Sequence, residues 1–169
     1  MRIIKISHLF DIFAGTEPDG GDLYIDIDKT CLTPERLIAR AFSGNYALRN
    51  RIMANTKKTS FDYASDSLIP TRDNLEAFLA RCRDNFRYVA YVTTRSADEV
   101  ARIRRELGLH HLPTDLDILH RDDLRRMMEG GEGKPRGTMT YYLDSDPEAY
   151  QSLSGNKSQK SVLFQLSPF

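Results

Sequence analysis

Two aspartates and a threonine, spaced at every second position, are the residues best able to do chemistry. Asp26, Asp28 and Thr30 follow a short apolar run at residues 23–25, which predicts a β-strand. Strand side chains alternate between faces, so both aspartates point to the same side. Because two like charges are costly inside a buried strand, we expect them at its carboxyl end, where parallel α/β sheets place their ligands. Such a pair can bind a cation, or work as nucleophile and acid/base.

Two further predicted strands also end in polar side chains. Thr93 and Thr94 close one apolar run, and Asp144 and Asp146 follow another. Parallel strands present their carboxyl ends at one edge of a sheet, so the three clusters can converge there. Lys134, in a glycine-rich break before the last of these strands, could join them. An acidic pair after a strand also commonly begins a turn or caps a helix, and that interpretation stays open for each cluster.

The combined set of side chains suits phosphoryl transfer. Carboxylates supply the oxygens that Mg²⁺ prefers, with water and a substrate phosphate completing the octahedron. One carboxylate can attack phosphorus, and a second can protonate the leaving group and then activate water. A hydroxyl and a basic side chain can bind the equatorial oxygens of the transferred group. The candidate metal ligands are Asp26, Asp28, Asp144 and Asp146, and the candidate phosphate-binding residues are Thr30, Thr93 and Lys134.

Composition limits the class of protein. The 169 residues suffice for one domain with a core. Lysine plus arginine and aspartate plus glutamate both number 24, which gives no global footprint for nucleic acid or an anionic membrane, although a local patch stays open. Cys31 and Cys82 lack metal-type spacing, and no apolar run approaches the ~20 residues of a membrane helix. We expect no membrane association and, by default, a cytoplasmic protein; secretion without a classical signal stays open.

Strand and helix patterns alternate from residue 22 onward, which predicts a three-layer, Rossmann-like parallel sheet with helices on both faces. We expect one domain over residues 1–169, with residues 31–69 as a small helical flap or minimal cap. Within that insertion, Thr33 and Pro34 are typical of a helix start, residues 45–58 form either a cationic rim or a solvated helix face, and residues 55–69 suggest a loop. The predicted strands are 22–27, 87–94, 116–119, 138–143 and 161–166, after a lead-in strand or helix at 3–13, and the main helices are 74–82, 97–107 and 122–128.

The order of these motifs resembles the haloacid dehalogenase superfamily of phosphatases over roughly residues 22–150. The matching stretches are Asp-Ile-Asp-Lys-Thr-Cys-Leu from Asp26, the strand ending at Thr93, a lysine, and the strand ending in Asp-Ser-Asp from Asp144. The resemblance implies that Asp26 is the nucleophile and Asp28 the general acid/base. It also implies that Thr93 binds phosphate, and that Mg²⁺ is held by Asp26, the Asp28 carbonyl and Asp144.

The chain departs from the family pattern at two points. Ser145 stands where the family often has a second acid, so Asp146 or a water would supply that ligand. Lys134 lies closer to the last strand than the family's lysine often does, and three arginines are rivals for its role. These rivals are Arg121, Arg125 and Arg136.

The resemblance predicts a Mg²⁺-dependent phosphohydrolase that acts on a phosphomonoester through an aspartyl-phosphate intermediate. The insertion is short compared with full cap domains, so we expect an open site and a phosphorylated substrate with bulk of its own: a nucleic-acid end, a nucleotide or other large metabolite, or a phosphoprotein. Arg95 after Thr93 resembles the family's polynucleotide 3′-phosphatases. Two alternatives stay open: a catalytically degraded domain that serves as a binding module, and a receiver-like phosphoacceptor. The sequence does not determine the oligomeric state.

Overall fold

The fold was analysed in a computed structural model of the chain. It describes residues 1–14, 20–37, 61–130, 138–146, 148–150 and 160–167. Lys134, Arg136 and the basic segment at 45–58 lie outside the described residues.

Six parallel strands form the central sheet. They are β1 (Arg2–Ile6), β2 (Asp22–Asp26), β5 (Tyr88–Thr93), β6 (Ile118–His120), β7 (Thr140–Asp144) and β8 (Ser161–Leu166). Their order across the sheet is β1-β8-β7-β2-β5-β6, so the strand that ends at Asp26 lies between the strands that end at Thr93 and Asp144. The prediction of a parallel α/β sheet is therefore confirmed.

Helices cover both faces of this sheet, and alternation along β2 explains why. Leu23 and Ile25 point to one face, towards α1 (Leu75–Asn85) and α2 (Val100–Leu109). Tyr24 points to the other face, towards α3 (Arg121–Gly130). Because both faces are buried, the central strands β2, β5 and β7 are apolar along most of their length rather than alternating with polar residues. A lead-in 3-10 helix (Leu9–Ala14) packs on the α1 side.

The amino-terminal end of β2 is held by an ion pair at the edge opposite the candidate site. Arg87 donates from Nε and Nη2 to the two carboxylate oxygens of Asp22, at 3.0 and 2.8 Å. Asp22 is buried, whereas the arginine side chain is 45% exposed. This bidentate pair neutralises a carboxylate that would otherwise be costly to bury.

The ends of the insertion differ from the sequence prediction. Residues 32–34 form a short strand, β3 (Leu32–Pro34), which pairs antiparallel with β4 (Leu68–Pro70). The prediction that Thr33 and Pro34 begin a helix was wrong, and so was the assignment of residues 68–69 to a loop. Helical structure begins one residue later, at 35–37. Pairing with a segment more than thirty positions away has overridden a local helix-start signal here.

None of the helices within the described ranges has the length and apolar character needed to cross a membrane.

Candidate active site

A tight turn after β2 folds the first motif back on itself. The Ile27 carbonyl accepts hydrogen bonds from the amides of Thr30, Cys31 and Leu32. Lys29 has a φ of 66°, a left-handed conformation that is uncommon outside glycine and reverses the chain here. The Thr30 hydroxyl consequently reaches Asp26 and donates to Oδ2 at 3.0 Å. A local turn therefore joins two residues that are spaced along an apparently extended motif.

Thr30 also connects the first motif to the last one. Its hydroxyl oxygen accepts a hydrogen bond of 3.3 Å from the backbone amide of Ser145, across 115 positions of the chain. Asp144 ends β7 beside this contact and is 1% exposed. Ser145, where the family often has an acid, thus contributes its amide to the site. The convergence expected from parallel strand ends is present in the structure.

Arg121 bridges the two buried carboxylates. It is the first residue of α3, and its Nη2 atom lies 3.1 Å from Asp26 Oδ1 and 3.2 Å from Asp144 Oδ2. Its guanidinium carbon lies 5.5 Å from the ring centroid of the buried Tyr150. The arginine side chain is 19% exposed. A charge-assisted bridge of this kind offsets part of the repulsion between two carboxylates while leaving other N–H donors for a substrate.

The pKa of each bridged carboxyl is raised. For Asp26, burial is the main cause and the charge of Asp144 adds to it, while Arg121 lowers the pKa in opposition. For Asp144, burial raises the pKa to about 6, again opposed by Arg121. Acid groups with raised pKa values, gathered at the carboxyl edge of a parallel sheet, are typical of functional sites, although structural ion pairs also perturb pKa values.

Asp28 lies just beyond β2 and has different partners from Asp26. The Tyr63 hydroxyl donates to Oδ1 at 2.7 Å, and Arg95 Nε donates to Oδ2 at 2.7 Å. Both carboxylate oxygens therefore accept a strong hydrogen bond, and the side chain is 21% exposed. These two hydrogen bonds fix the orientation of the Asp28 side chain.

Arg95 ties the end of the sheet to the insertion. Besides Asp28, it donates to the Phe61 carbonyl at 2.7 Å. Its guanidinium carbon lies 4.7 Å from the Phe61 ring centroid and 5.2 Å from that of Tyr63. Glu99 adds an ion pair at 3.6 Å. The carboxyl-terminal part of the insertion is therefore fixed beside Asp28 by hydrogen bonds and by cation–π contact.

The remaining predicted site residues are Thr93, Asp146 and Lys134. Thr93 is buried at the end of β5, and its hydroxyl oxygen accepts a hydrogen bond of 3.0 Å from the Arg95 amide. Asp146 donates its amide to Asp144 Oδ1 at 2.8 Å and accepts from the Glu148 amide at 3.1 Å, so it shapes the turn after β7. Lys134 is outside the described residues, and among the three rival arginines the structure brings Arg121 to the carboxylates.

A magnesium ion would have a small protein ligand set here. Within the described ranges, no three His, Cys, Asp or Glu side chains are grouped so that they could hold a metal ion together. Asp26 and Asp144 both lie within 3.2 Å of one Arg121 nitrogen, so the two carboxylates are close together. Mg²⁺ commonly takes one or two carboxylates and completes its shell with water and substrate phosphate. Asp26 and Asp144 are the two buried carboxylates that such a site could use.

A groove of about 780 Å³ adjoins this centre. Arg121 belongs to both the groove wall and the carboxylate bridge, whereas Asp26 and Asp144 themselves do not line the groove. The groove lining is mostly polar and combines both signs of charge. Its lining residues are Thr94, His120, Arg121, Asp122, Arg125, Glu148 and Ala149.

Sequence reasoning missed the partners of the two catalytic candidates. Arg121 was weighed as a rival to Lys134, but Tyr63 was not considered, and Arg95 was noted only for its position after Thr93. Tyr63 lies 35 positions from Asp28, and Arg121 lies 95 positions from Asp26. No local pattern records a contact over such a distance, although the aromatic pair at Phe61 and Tyr63 in a polar stretch was an available signal.

The protein has an α/β architecture, with a parallel central sheet and acidic side chains at the carboxyl edge of that sheet. Comparisons of the chain with protein-family models, with curated proteins and with solved structures found no significant match in any of the three.

Proposed function

We propose that this protein is a Mg²⁺-dependent phosphohydrolase that transfers the phosphoryl group of a phosphomonoester to Asp26 and then to water. The observation that carries the proposal is the bridge from Arg121 to Asp26 and Asp144 at the carboxyl edge of the sheet. The bridge supports the proposal because it brings two buried carboxylates and a cation together at the edge where parallel α/β sheets bind ligands.

Asp26 is the proposed nucleophile because its two oxygens are oriented by separate donors. Thr30 holds Oδ2 and Arg121 holds Oδ1, which fixes the carboxylate plane. Arg121 also opposes the effect of burial on the pKa of Asp26, and so favours the ionised form that attacks. Attack forms an oxygen–phosphorus bond to Asp26 and breaks the bond between phosphorus and the leaving oxygen.

Asp28 is the proposed general acid and base. It gives a proton to the leaving oxygen, and then takes one from the water that attacks the phosphorus of the aspartyl phosphate. That second attack restores Asp26 and releases inorganic phosphate, so atoms and charges balance over the cycle. Tyr63 and Arg95 hold Asp28 in place, and one of these hydrogen bonds must give way whenever Asp28 carries the proton.

A bound magnesium ion would neutralise charge on the transferred group, and Asp26, Asp144 and the Asp28 carbonyl are the residues proposed to hold it. Thr93, Thr30 and a basic residue would bind the phosphoryl oxygens. We assign the basic role to Arg121, with Lys134 as the alternative. The substrate classes proposed are a nucleic-acid end, a nucleotide or other large metabolite, and a phosphoprotein.

One observation favours a second candidate, a domain that binds phosphate esters without turnover. Arg121 already bridges the two carboxylates that a metal would need, and the described residues lack a third clustered ligand. A receiver-like phosphoacceptor is less well supported, because Asp26 and Asp28 belong to one strand end rather than to different strands.

Phosphate release from a substrate panel tests the proposal. The panel holds an aryl phosphate, nucleotides, sugar phosphates, phosphopeptides and oligonucleotides with 3′-phosphate ends, each assayed with Mg²⁺ and with EDTA. We expect turnover that needs Mg²⁺ and is lost in Asp26→Asn. The matched control is Asp123→Asn, an exposed aspartate on α3. Turnover that survives both EDTA and Asp26→Asn would contradict the proposal, whereas binding without turnover would favour the second candidate.

A further inference from the structure

Two arginines on one wall of the groove each carry a buried Nε–H group. The Nε atoms of Arg121 and Arg125 have no hydrogen-bond partner among the residues that the structure describes. Buried polar atoms are nearly always paired, and an unpaired one in a native protein calls for a water, an ion or a ligand. Both arginines line the groove of about 780 Å³ that adjoins the carboxylates.

The two arginines are four residues apart on α3, so their side chains emerge from the same side of the helix, one turn apart. One turn corresponds to about 6 Å along the axis. Arg121 contacts the catalytic carboxylates, whereas Arg125 lies one turn further along the groove. An anion at Arg125 would therefore belong to the part of the substrate beyond the transferred phosphoryl group.

The acidic neighbour of Arg125 leaves it available. Asp122 Oδ1 is 3.7 Å from Arg125 Nη1, a distance too long for a hydrogen bond. The other oxygen of Asp122 is 3.7 Å from His120 Nδ1, and the Asp122 side chain is 63% exposed. Such an exposed, loosely oriented pair contributes little energy, so a phosphate with good geometry can replace it.

We propose that the groove binds the leaving group of the substrate, and that Arg125 recognises a second phosphate group on it. This inference rests on the proposed phosphohydrolase function and narrows its substrate class to phosphomonoesters that carry a further phosphate about one helical turn from the scissile one. Arg125 is then a specificity-determining residue. Glu148 also lines the groove, and its negative charge would weaken the binding of this second phosphate.

Binding measured without turnover tests the proposal first. The probes are a nucleoside 3′-monophosphate and the same nucleoside 3′,5′-bisphosphate, titrated calorimetrically against Asp26→Asn with and without Arg125→Gln. We expect the bisphosphate to bind at least about tenfold more tightly, and Arg125→Gln to remove most of that preference, as for the loss of a charge-assisted hydrogen bond. A third probe carries a 5′-carboxylate where the bisphosphate has its second phosphate. Its affinity should exceed that of the monophosphate by less than the affinity of the bisphosphate does.

Two further variants make the test sharper. Arg126→Gln is the matched control, because Arg126 is 74% exposed, pairs with Asp123 and does not line the groove; it should keep the preference. Glu148→Gln should increase the preference. Equal binding of the two probes, or a preference that Arg125→Gln leaves intact, would overturn the inference. A preference lost in Arg125→Gln without turnover of any probe by the parent protein would support the groove site and contradict the phosphohydrolase proposal.

Discussion

The Tyr63 phenol donates a 2.7 Å hydrogen bond to the Asp28 carboxylate from the far end of the insertion. The same carboxylate receives Arg95 on its other oxygen, and Arg95 contacts the Phe61 carbonyl and the Tyr63 ring. The insertion is therefore connected to the proposed acid/base through Tyr63, which is 4% exposed. Tyr63 is a positioning residue in this account, since it acts through Asp28.

Tyr63→Phe should impair proton transfer more than phosphorus attack. Alkyl phosphates need a protonated leaving group, whereas an aryl phosphate with a good leaving group does not. We expect kcat to fall about tenfold on an alkyl phosphate and less than about twofold on the aryl phosphate. The tenfold loss is a part of the rate enhancement that general acid catalysis usually supplies. The measurement is kcat and KM for both substrates, with Asp28→Asn as the reference pattern.

Tyr88→Phe is the control for that experiment, because the Tyr88 hydroxyl donates to Asp117, away from the site. An equal loss on both substrates in Tyr63→Phe would assign Tyr63 a purely structural role.

Arg121→Gln should lower both stability and activity. Without the guanidinium, Asp26 and Asp144 repel each other in a buried position, which costs about 1–3 kcal/mol of unfolding free energy at neutral pH. Mg²⁺ can neutralise the same two carboxylates, so it should stabilise the variant more than the parent. Urea unfolding with EDTA and with Mg²⁺ measures this difference, and Arg121→Lys should restore part of it. Equal stabilisation of variant and parent by Mg²⁺ would argue against a shared cation position.

Asp144 makes the metal-free protein less stable as pH rises. Its folded pKa is raised from 3.8 to about 6, so the folded state disfavours the ionised form. The stability present below the unfolded pKa is therefore lost as pH increases from about 4 through 6. In EDTA, Asp144→Asn should gain stability relative to the parent by about 1–3 kcal/mol between pH 4 and pH 7.5. Thermal unfolding across that range checks the sign, and a difference that does not change with pH would refute it.

The pair between Arg87 and Asp22 should support the fold without affecting chemistry. It closes the amino-terminal end of β2, at the opposite edge from Asp26. Arg87→Leu removes the bidentate ion pair of a buried carboxylate. We expect a loss of about 1–3 kcal/mol in the free energy of unfolding, which is less than for a fully buried ion pair because the arginine is half exposed. The kcat of the folded variant should stay within about twofold of the parent. A large change in kcat would show that the two ends of β2 are coupled.

The sheet was predictable from sequence because its main strands are apolar runs, and three of them, β2, β5 and β7, end in polar residues. The apolar runs identified β2, β5, β7 and β8 within one or two residues of their observed bounds. The insertion was harder, because the pairing of Leu32–Pro34 with Leu68–Pro70 depends on contact between distant segments. Thr33 and Pro34 carry a helix-start signal that this pairing overrides.

The acidic residues of the candidate site could be predicted from the sequence, whereas its arginines could not. Asp26, Asp28 and Asp144 each lie at a strand end, so topology alone brings them to one edge. Arg121 and Arg95 reach those acids with long side chains from a helix start and a loop, and their direction depends on packing that no spacing rule contains. Lys134, the predicted basic residue, lies outside the described residues.

The most direct test of the central claim is covalent labelling of Asp26 during turnover. The protein is mixed with a ³²P-labelled phosphomonoester and Mg²⁺, quenched in acid within one turnover, and digested for peptide mapping. The account predicts a base-labile acyl phosphate on the peptide that contains Asp26, absent in Asp26→Asn and present in the Asp123→Asn control. Release of phosphate without any labelled peptide, or a label that persists in Asp26→Asn, would contradict it.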